Sequence, residues 1–170
     1  MNWTSYSRFL LFSLFIPALL LTGCLDGEPL EPLRPGDKAP PFTLTLNTGE
    51  SKSLTDFQSK GLVLTFMASW CPCSNDSLPM FQAEYERHNG NINFLMVGIQ
   101  EAESNFSEFV KKRKIPYMTG FDNNEIARNY GVNAPPTTVF ITADGIVKRF
   151  FYGNIKDVAK QFPNWVAEVL

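Results

Sequence analysis

The run Leu62 to Met67, LVLTFM, leads through Ala68-Ser69-Trp70 straight into Cys71-Pro72-Cys73. Six residues without a charge have the length of a strand, and their continuity reads as burial on both faces rather than one. Such a strand needs partners beside it and helices above and below it. This part of the chain therefore belongs to a layered α/β domain, and its two cysteines lie just past the strand's end.

The flanking pattern agrees. Phe42-Thr43-Leu44-Thr45-Leu46 alternates as a strand does, and Asn47-Thr48-Gly49-Glu50 turns it back. Ser74 to His88 reads as a helix closed by Asn89-Gly90. Ile92 to Ile99 is a second buried strand, and Ser104 to Lys114 is an amphipathic helix with Phe106, Phe109 and Val110 at helical spacing. A short helix is expected over Asn123 to Tyr130 and a strand over Thr137 to Thr142. Ala143-Asp144-Gly145 then turns the chain into the hairpin strand Ile146 to Phe151. Ile155 to Val169 closes as one helix. This order predicts a mixed central sheet with a parallel βαβ unit first, an antiparallel pair later, and helices on both faces.

The first 23 residues stand apart. Arg8 is their only charge, and Phe9 to Leu21 is a nearly unbroken apolar stretch of 13 residues. That is short of the roughly 20 residues a membrane-spanning helix needs, and it has the form of an export signal. The following Leu21-Thr22-Gly23-Cys24 resembles the lipobox of bacterial lipoproteins, which implies cleavage before Cys24 and lipid on its sulfur. The cysteine count agrees: three is odd for an exported chain, and lipid on Cys24 leaves Cys71 and Cys73 as a pair. The stretch 25–36, with three prolines and two glycines, reads as an extended tether. The expected organisation is a signal over 1–23, a lipidated cysteine and tether over 24–36, and one domain over 37–170. A net charge of -2 offers nucleic acid no basic surface, and none is expected as a partner.

A cysteine between a buried strand and a helix N-terminus sits where unpaired N–H groups and the helix dipole favour its thiolate. Thiolate is the attacking form in disulfide exchange, so Cys71 reads as reactive, with Trp70 walling one side of the site. Together these features resemble the thioredoxin fold. Within it, they are similar to the TlpA/ResA-like thiol–disulfide oxidoreductases of the bacterial cell envelope, from about Arg34 to the C-terminus. PGDKAPPFTLTLNTGESKSLTDF resembles that family's N-terminal hairpin, LVLTFMASWCPC its strand and active-site loop, and Pro79 its helix-kinking proline. GVNAPPTTVFITADGIVKRFFYG resembles its cis-proline loop and final hairpin.

The resemblance implies a thioredoxin-like α/β domain with an N-terminal β-hairpin extension. It makes Cys71 the exposed, attacking cysteine and Cys73 the resolving one. Pro136 matches the cis-proline facing Cys71, with Pro135 before it. Pro72, Thr137 and Trp70 join these as substrate-contacting positions. Glu103 matches an acid near the active site that could relay a proton. The implied partners are thiols or disulfides of exported proteins, apocytochrome c among those the family serves, and a membrane or soluble redox partner. The protein itself would be held to a membrane in the cell envelope by lipid on Cys24. Leu25 rather than Asp after Cys24 hints at the outer membrane in a host with two. No cofactor and no metal is called for.

Two departures stand out. The family spaces its cysteines Cys-x-x-Cys, whereas Ser74 holds the fourth place here and the second thiol comes one residue early. Residues two apart on a helix point about 200° apart, while a disulfide needs Cβ atoms roughly 3.5–4.5 Å from each other. The pair can close only if Cys71 stays outside the helix, and the small ring biases the couple toward the dithiol. Thr65, six residues before Cys71, replaces an acid that related thioredoxins bury on this strand, which leaves Glu103 or water to relay protons. Three other functions compete. A thiol peroxidase would need Pro and Thr or Ser where Leu64 and Ala68 stand. A Cu(I) carrier would use the two thiolates, but the only histidine, His88, falls at the far end of the first helix. The third is a redox-inactive domain that binds peptides along the Pro136 edge.

Overall fold

The structure, a computed structural model, describes residues 31–170; the expected export signal, Cys24 and the first part of the expected tether lie outside the described residues. Its centre is β3 (Leu62–Met67), all six residues buried. On one side it pairs in parallel with β4 (Asn93–Gly98), and on the other antiparallel with β6 (Thr137–Ile141). A fourth strand, β5 (Met118–Phe121), continues the parallel set, and β7 (Val147–Tyr152) pairs antiparallel with β6. The sheet order is therefore β5-β4-β3-β6-β7, the mixed sheet expected from the sequence.

Successive side chains of β3 face opposite layers. Leu62, Leu64 and Phe66 join Leu95, Val97, Val139 and Tyr130 on one face. Val63 and Met67 join Phe81, Phe94, Phe106, Phe140 and Phe162 on the other. That second layer is capped by α1 (Pro72–His88), α2 (Glu103–Arg113) and α4 (Phe162–Ala167). The first is capped by α3 (Glu125–Asn129) and by the hairpin β1 (Thr43–Thr45) and β2 (Ser51–Ser53).

Three boundaries differ from the sequence reading. First, α1 begins at Pro72 instead of Ser74, because proline suits the first helical position, where its missing N–H would be unpaired anyway. Second, the expected helix over 155–169 is broken into a 3-10 turn (Ile155–Val158) and α4. Pro163 in the first turn of α4 cannot donate to a preceding turn, so a helix cannot run through it. Third, the chain packs on the domain before Asp37. Leu33 lies against the core, and the Gly36 N–H donates to the Val147 carbonyl at 2.8 Å. Gly131 permits this passage: with φ +66°, a Cβ placed on it would fall 2.3 Å from the Glu31 carbonyl oxygen. The sequence reading does not assign β5. This strand has four residues, one of them Gly120, whose missing side chain lets Leu44 and Thr45 of the hairpin press against it.

Candidate active site

The strand β3 ends at Met67, and α1 starts five residues later, so Ala68 to Cys71 form a short loop at the C-terminal end of the parallel strands. Cys71 is the N-cap of α1, with extended backbone (φ -83°, ψ 118°), so it stays outside the helix as disulfide closure requires. Cys73 lies in the first helical turn, and both sulfurs are free thiols. Exposure reverses the expectation for Cys71: it is buried, at 7% accessibility, while Cys73 is exposed. The Cys71 thiol points across the sheet end and donates to the Pro135 carbonyl at 3.6 Å. The Pro135–Pro136 peptide is cis. Thr137 follows, buried, its hydroxyl donating to the Ala134 carbonyl at 2.8 Å. Cys71, Pro135, Pro136 and Thr137 are therefore brought together at one end of the sheet.

Trp70 is 58% exposed beside Cys71, and its indole N–H donates to the Gln100 carbonyl at 3.2 Å. Gln100 has left-handed backbone (φ 58°) and donates from Nε2 to the Asn133 carbonyl at 3.0 Å, joining the loop after β4 to the loop before β6. Next to Asn133 lies a cleft of about 270 Å³ lined by Pro32, Ala134, Thr137, Phe150 and Tyr152. Tyr152 is 63% exposed on the edge strand β7.

Glu103, which the resemblance set near the active site, makes no hydrogen bond to the cysteine loop. It is exposed in the first turn of α2, and no hydrogen bond or ion pair of its carboxylate occurs among the described residues. The carboxylate that grips the cysteine loop is Glu101. Its Oε1 accepts from the Ser69 N–H at 2.6 Å, and its Oε2 accepts from the Ser69 hydroxyl. The signal for Glu101 was its position just past the end of a parallel strand, where ligand sites of such sheets collect. Glu103, two residues further on, already belongs to α2.

Asn75 and Ser77 also escaped the sequence reading. Asn75 donates from Nδ2 to the carbonyls of Ser69 and Cys71, both at 2.9 Å. Its Oδ1 accepts from Arg113 at 2.6 Å. Ser77 ties the first turn of α1 to the end of β7: its hydroxyl shares its single hydrogen between the Cys73 carbonyl at 2.8 Å and Asn154 Oδ1 at 2.9 Å, and its oxygen accepts from the Ile155 N–H at 3.0 Å. Ser74, in the place of the family's second cysteine, is fully buried and accepts from the Ala68 N–H at 3.3 Å. Thr65 is buried against the Thr138 hydroxyl at 3.3 Å. His88 ends α1 and faces Glu84 at 3.5 Å. Among the described residues no cluster of three or more His, Cys, Asp or Glu is arranged to hold a metal ion, and no helix is long and apolar enough to cross a membrane.

Comparison with known proteins places this geometry. Residues 35–150 match the family model described as the AhpC/TSA family. Thiol-disulfide oxidoreductase ResA of Geobacillus thermodenitrificans is 30% identical over 135 residues, 74% of this chain and 74% of its own. Sporulation thiol-disulfide oxidoreductase A of Bacillus subtilis is 26% identical over 132 residues, 75% of this chain and 78% of its own. Among solved structures, a thiol:disulfide interchange protein DsbE from Chlorobium tepidum superposes with a TM-score of 0.75. It is 24% identical and covers 81% of this chain and 98% of its own, a likeness of fold.

Proposed function

Because this chain belongs to the AhpC/TSA family and is a thioredoxin-like thiol–disulfide oxidoreductase, we propose that it exchanges disulfides of exported proteins through Cys71 and Cys73. We propose further that lipid on Cys24 anchors it in the cell envelope. The observation that carries the catalytic part is the contact between the Cys71 thiol and the Pro135 carbonyl at the mouth of α1. It sets the sulfur at the positive end of a helix and beside a backbone edge on which a substrate peptide can lie.

The Cys71 thiolate attacks one sulfur of a substrate disulfide. The substrate S–S bond breaks, a mixed disulfide forms, and the departing substrate thiolate takes up a proton. Cys73, deprotonated, then attacks the Cys71 sulfur. The mixed disulfide breaks, the second substrate thiol is released, and Cys71 and Cys73 are left joined. The substrate has gained two electrons and two protons, and the protein has lost them. Run backwards, the same steps donate a disulfide. Burial of Cys71 and exposure of Cys73 suit this division: the first sulfur meets only what docks against the Pro135 loop, and the second stands free in the first turn to swing onto it. In place of Glu103, Glu101 is the positioning acid in this scheme, holding Ser69 and with it the cysteine loop.

A disulfide-bonded model peptide tests the assignment. Cys73→Ser traps a covalent adduct at Cys71, Cys71→Ser traps none, and the wild-type chain turns over. An adduct on Cys73 alone, or turnover surviving loss of both thiols, overturns it. Peroxide consumption and copper content of the reduced protein, measured alongside, separate the peroxidase and carrier readings. For the anchor, lipid label enters the wild-type chain and not Cys24→Ser.

A further inference from the structure

Asn75 is the hinge of a three-part contact. The guanidinium of Arg113, at the C-terminal end of α2, carries only donors. Its Nη2 meets Asn75 Oδ1 at 2.6 Å, so the carboxamide has one permitted orientation, with its NH2 turned toward the cysteine loop. Both of those hydrogens are taken by carbonyls, Ser69 and Cys71, each at 2.9 Å. A flipped amide would set its NH2 against the guanidinium and its oxygen against two carbonyl oxygens. The far side of the same loop is held by Glu101 on the Ser69 N–H and hydroxyl. Ser69 thus has every backbone and side-chain polar group engaged. The two carbonyls flanking Trp70 are drawn toward α1, while the Cys71 sulfur points to Pro135.

We propose that Arg113, acting through the Asn75 carboxamide, is a positioning residue for Cys71. It fixes the amide, the amide fixes the two loop carbonyls, and the positive charge delivered through that charge-assisted contact offsets the negative ends of the carbonyl dipoles beside the attacking sulfur. Arg113 is exposed, and its guanidinium stacks 5.8 Å from the Phe109 ring centroid, so its side chain is laid back along α2 and not free in solvent. The inference rests on Cys71 being the attacking thiol.

The test is the rate at which Cys71 forms a mixed disulfide with a model peptide disulfide at neutral pH, in a Cys73→Ser background, with the thermal midpoint of each variant recorded. Arg113→Met slows the reaction about five-fold, and Arg113→Lys, which still offers a charged donor, recovers most of the rate. Asn75→Asp keeps the contact to Arg113 but loses both donors to the loop. It slows the reaction at least as much as Arg113→Met, even with an unchanged or higher thermal midpoint. Lys112→Met, which removes an equal charge from the same exposed helix end, leaves the rate at the parental value. The proposal is overturned if Arg113→Met reacts at the parental rate, if Lys112→Met slows the reaction equally, or if Asn75→Asp matches the parent. A parent that reacts with no disulfide at Cys71 overturns the oxidoreductase assignment itself, and this inference with it.

Discussion

The Cys71 thiol and the Pro135 carbonyl meet at 3.6 Å, although 64 residues separate them in sequence, so the sulfur proposed to attack and the edge proposed to receive a peptide form one contact. The loop carrying Pro135 is in turn held by the Thr137 hydroxyl on the Ala134 carbonyl at 2.8 Å. Thr137→Val keeps the shape and removes that bond, worth about 0.5–1.5 kcal/mol. The expected result is a KM for a peptide disulfide raised several-fold with kcat little changed, read by steady-state kinetics. An unchanged KM would show that the loop is held without it.

Glu101 offers a charged acceptor to the Ser69 N–H, and hydrogen bonds to charged groups contribute about 1.5–3 kcal/mol. Glu101→Gln keeps one acceptor oxygen and loses the charge. Glu101→Ala loses both oxygens. Activity and thermal midpoint should fall in that order, Ala further than Gln. Glu103→Ala, at an exposed position without a hydrogen bond or ion pair among the described residues, should stay near wild type in both measurements.

The spacing of the thiols makes a prediction about potential. With Cys71 outside α1 and Cys73 inside its first turn, the ring closed by a disulfide spans only Pro72 between them. Small strained rings reduce easily. The Cys71–Cys73 couple is expected to titrate at a higher, more oxidising potential than a variant that restores the longer spacing by Cys73→Ser with Ser74→Cys. Equilibration with glutathione buffers, read by mass spectrometry, decides it. A wild-type potential at or below that of the variant would remove the strain argument.

Two buried tyrosines give a pH signature. Burial pushes the Tyr117 and Tyr130 hydroxyls well above the ordinary tyrosine range. The unfolded chain ionises them near pH 10 while the folded chain keeps them neutral. Their contribution is complete below pH 10 and is lost as pH rises through and beyond it. The two differ in partners: the Tyr130 hydroxyl donates to the Pro40 carbonyl at 2.8 Å, whereas the Tyr117 hydroxyl has no partner among the described residues. At pH 7, Tyr130→Phe should cost about 0.5–1.5 kcal/mol, whereas Tyr117→Phe, which removes an unpaired buried hydroxyl, should leave stability unchanged or raised. Either change should flatten the loss of stability between pH 9 and 11, followed by denaturant titration.

Much of this protein was open to local reading. The strand at Leu62 to Met67, the helix ending at Asn89-Gly90, the hairpin after Ile141 and the proline pair before Thr137 each follow from patterns a few residues long. Periodicity, turn chemistry and the missing N–H of proline act over that range. Pro163 carried the same kind of signal, and the break it makes before α4 was there to be found. The first turn of α1 shows where local reading stops. Nothing near Cys71 says that it is covered and Cys73 open, because the cover is Pro135, brought in by the antiparallel pairing of β3 with β6.

The sequence by itself determined most of the elements and their order, β5 and the split of the last helix excepted, and the pair of thiols at a strand–helix junction, since each of these depends on residues adjacent along the chain. Tertiary structure alone decided that Glu101 and not Glu103 reaches Ser69, and that Arg113 reaches Asn75 across 38 residues. Those contacts turn on where a strand ends and how a helix is rotated against the sheet. A shift of two positions moves a side chain from the loop to solvent, and only the packing of the assembled layers sets that angle.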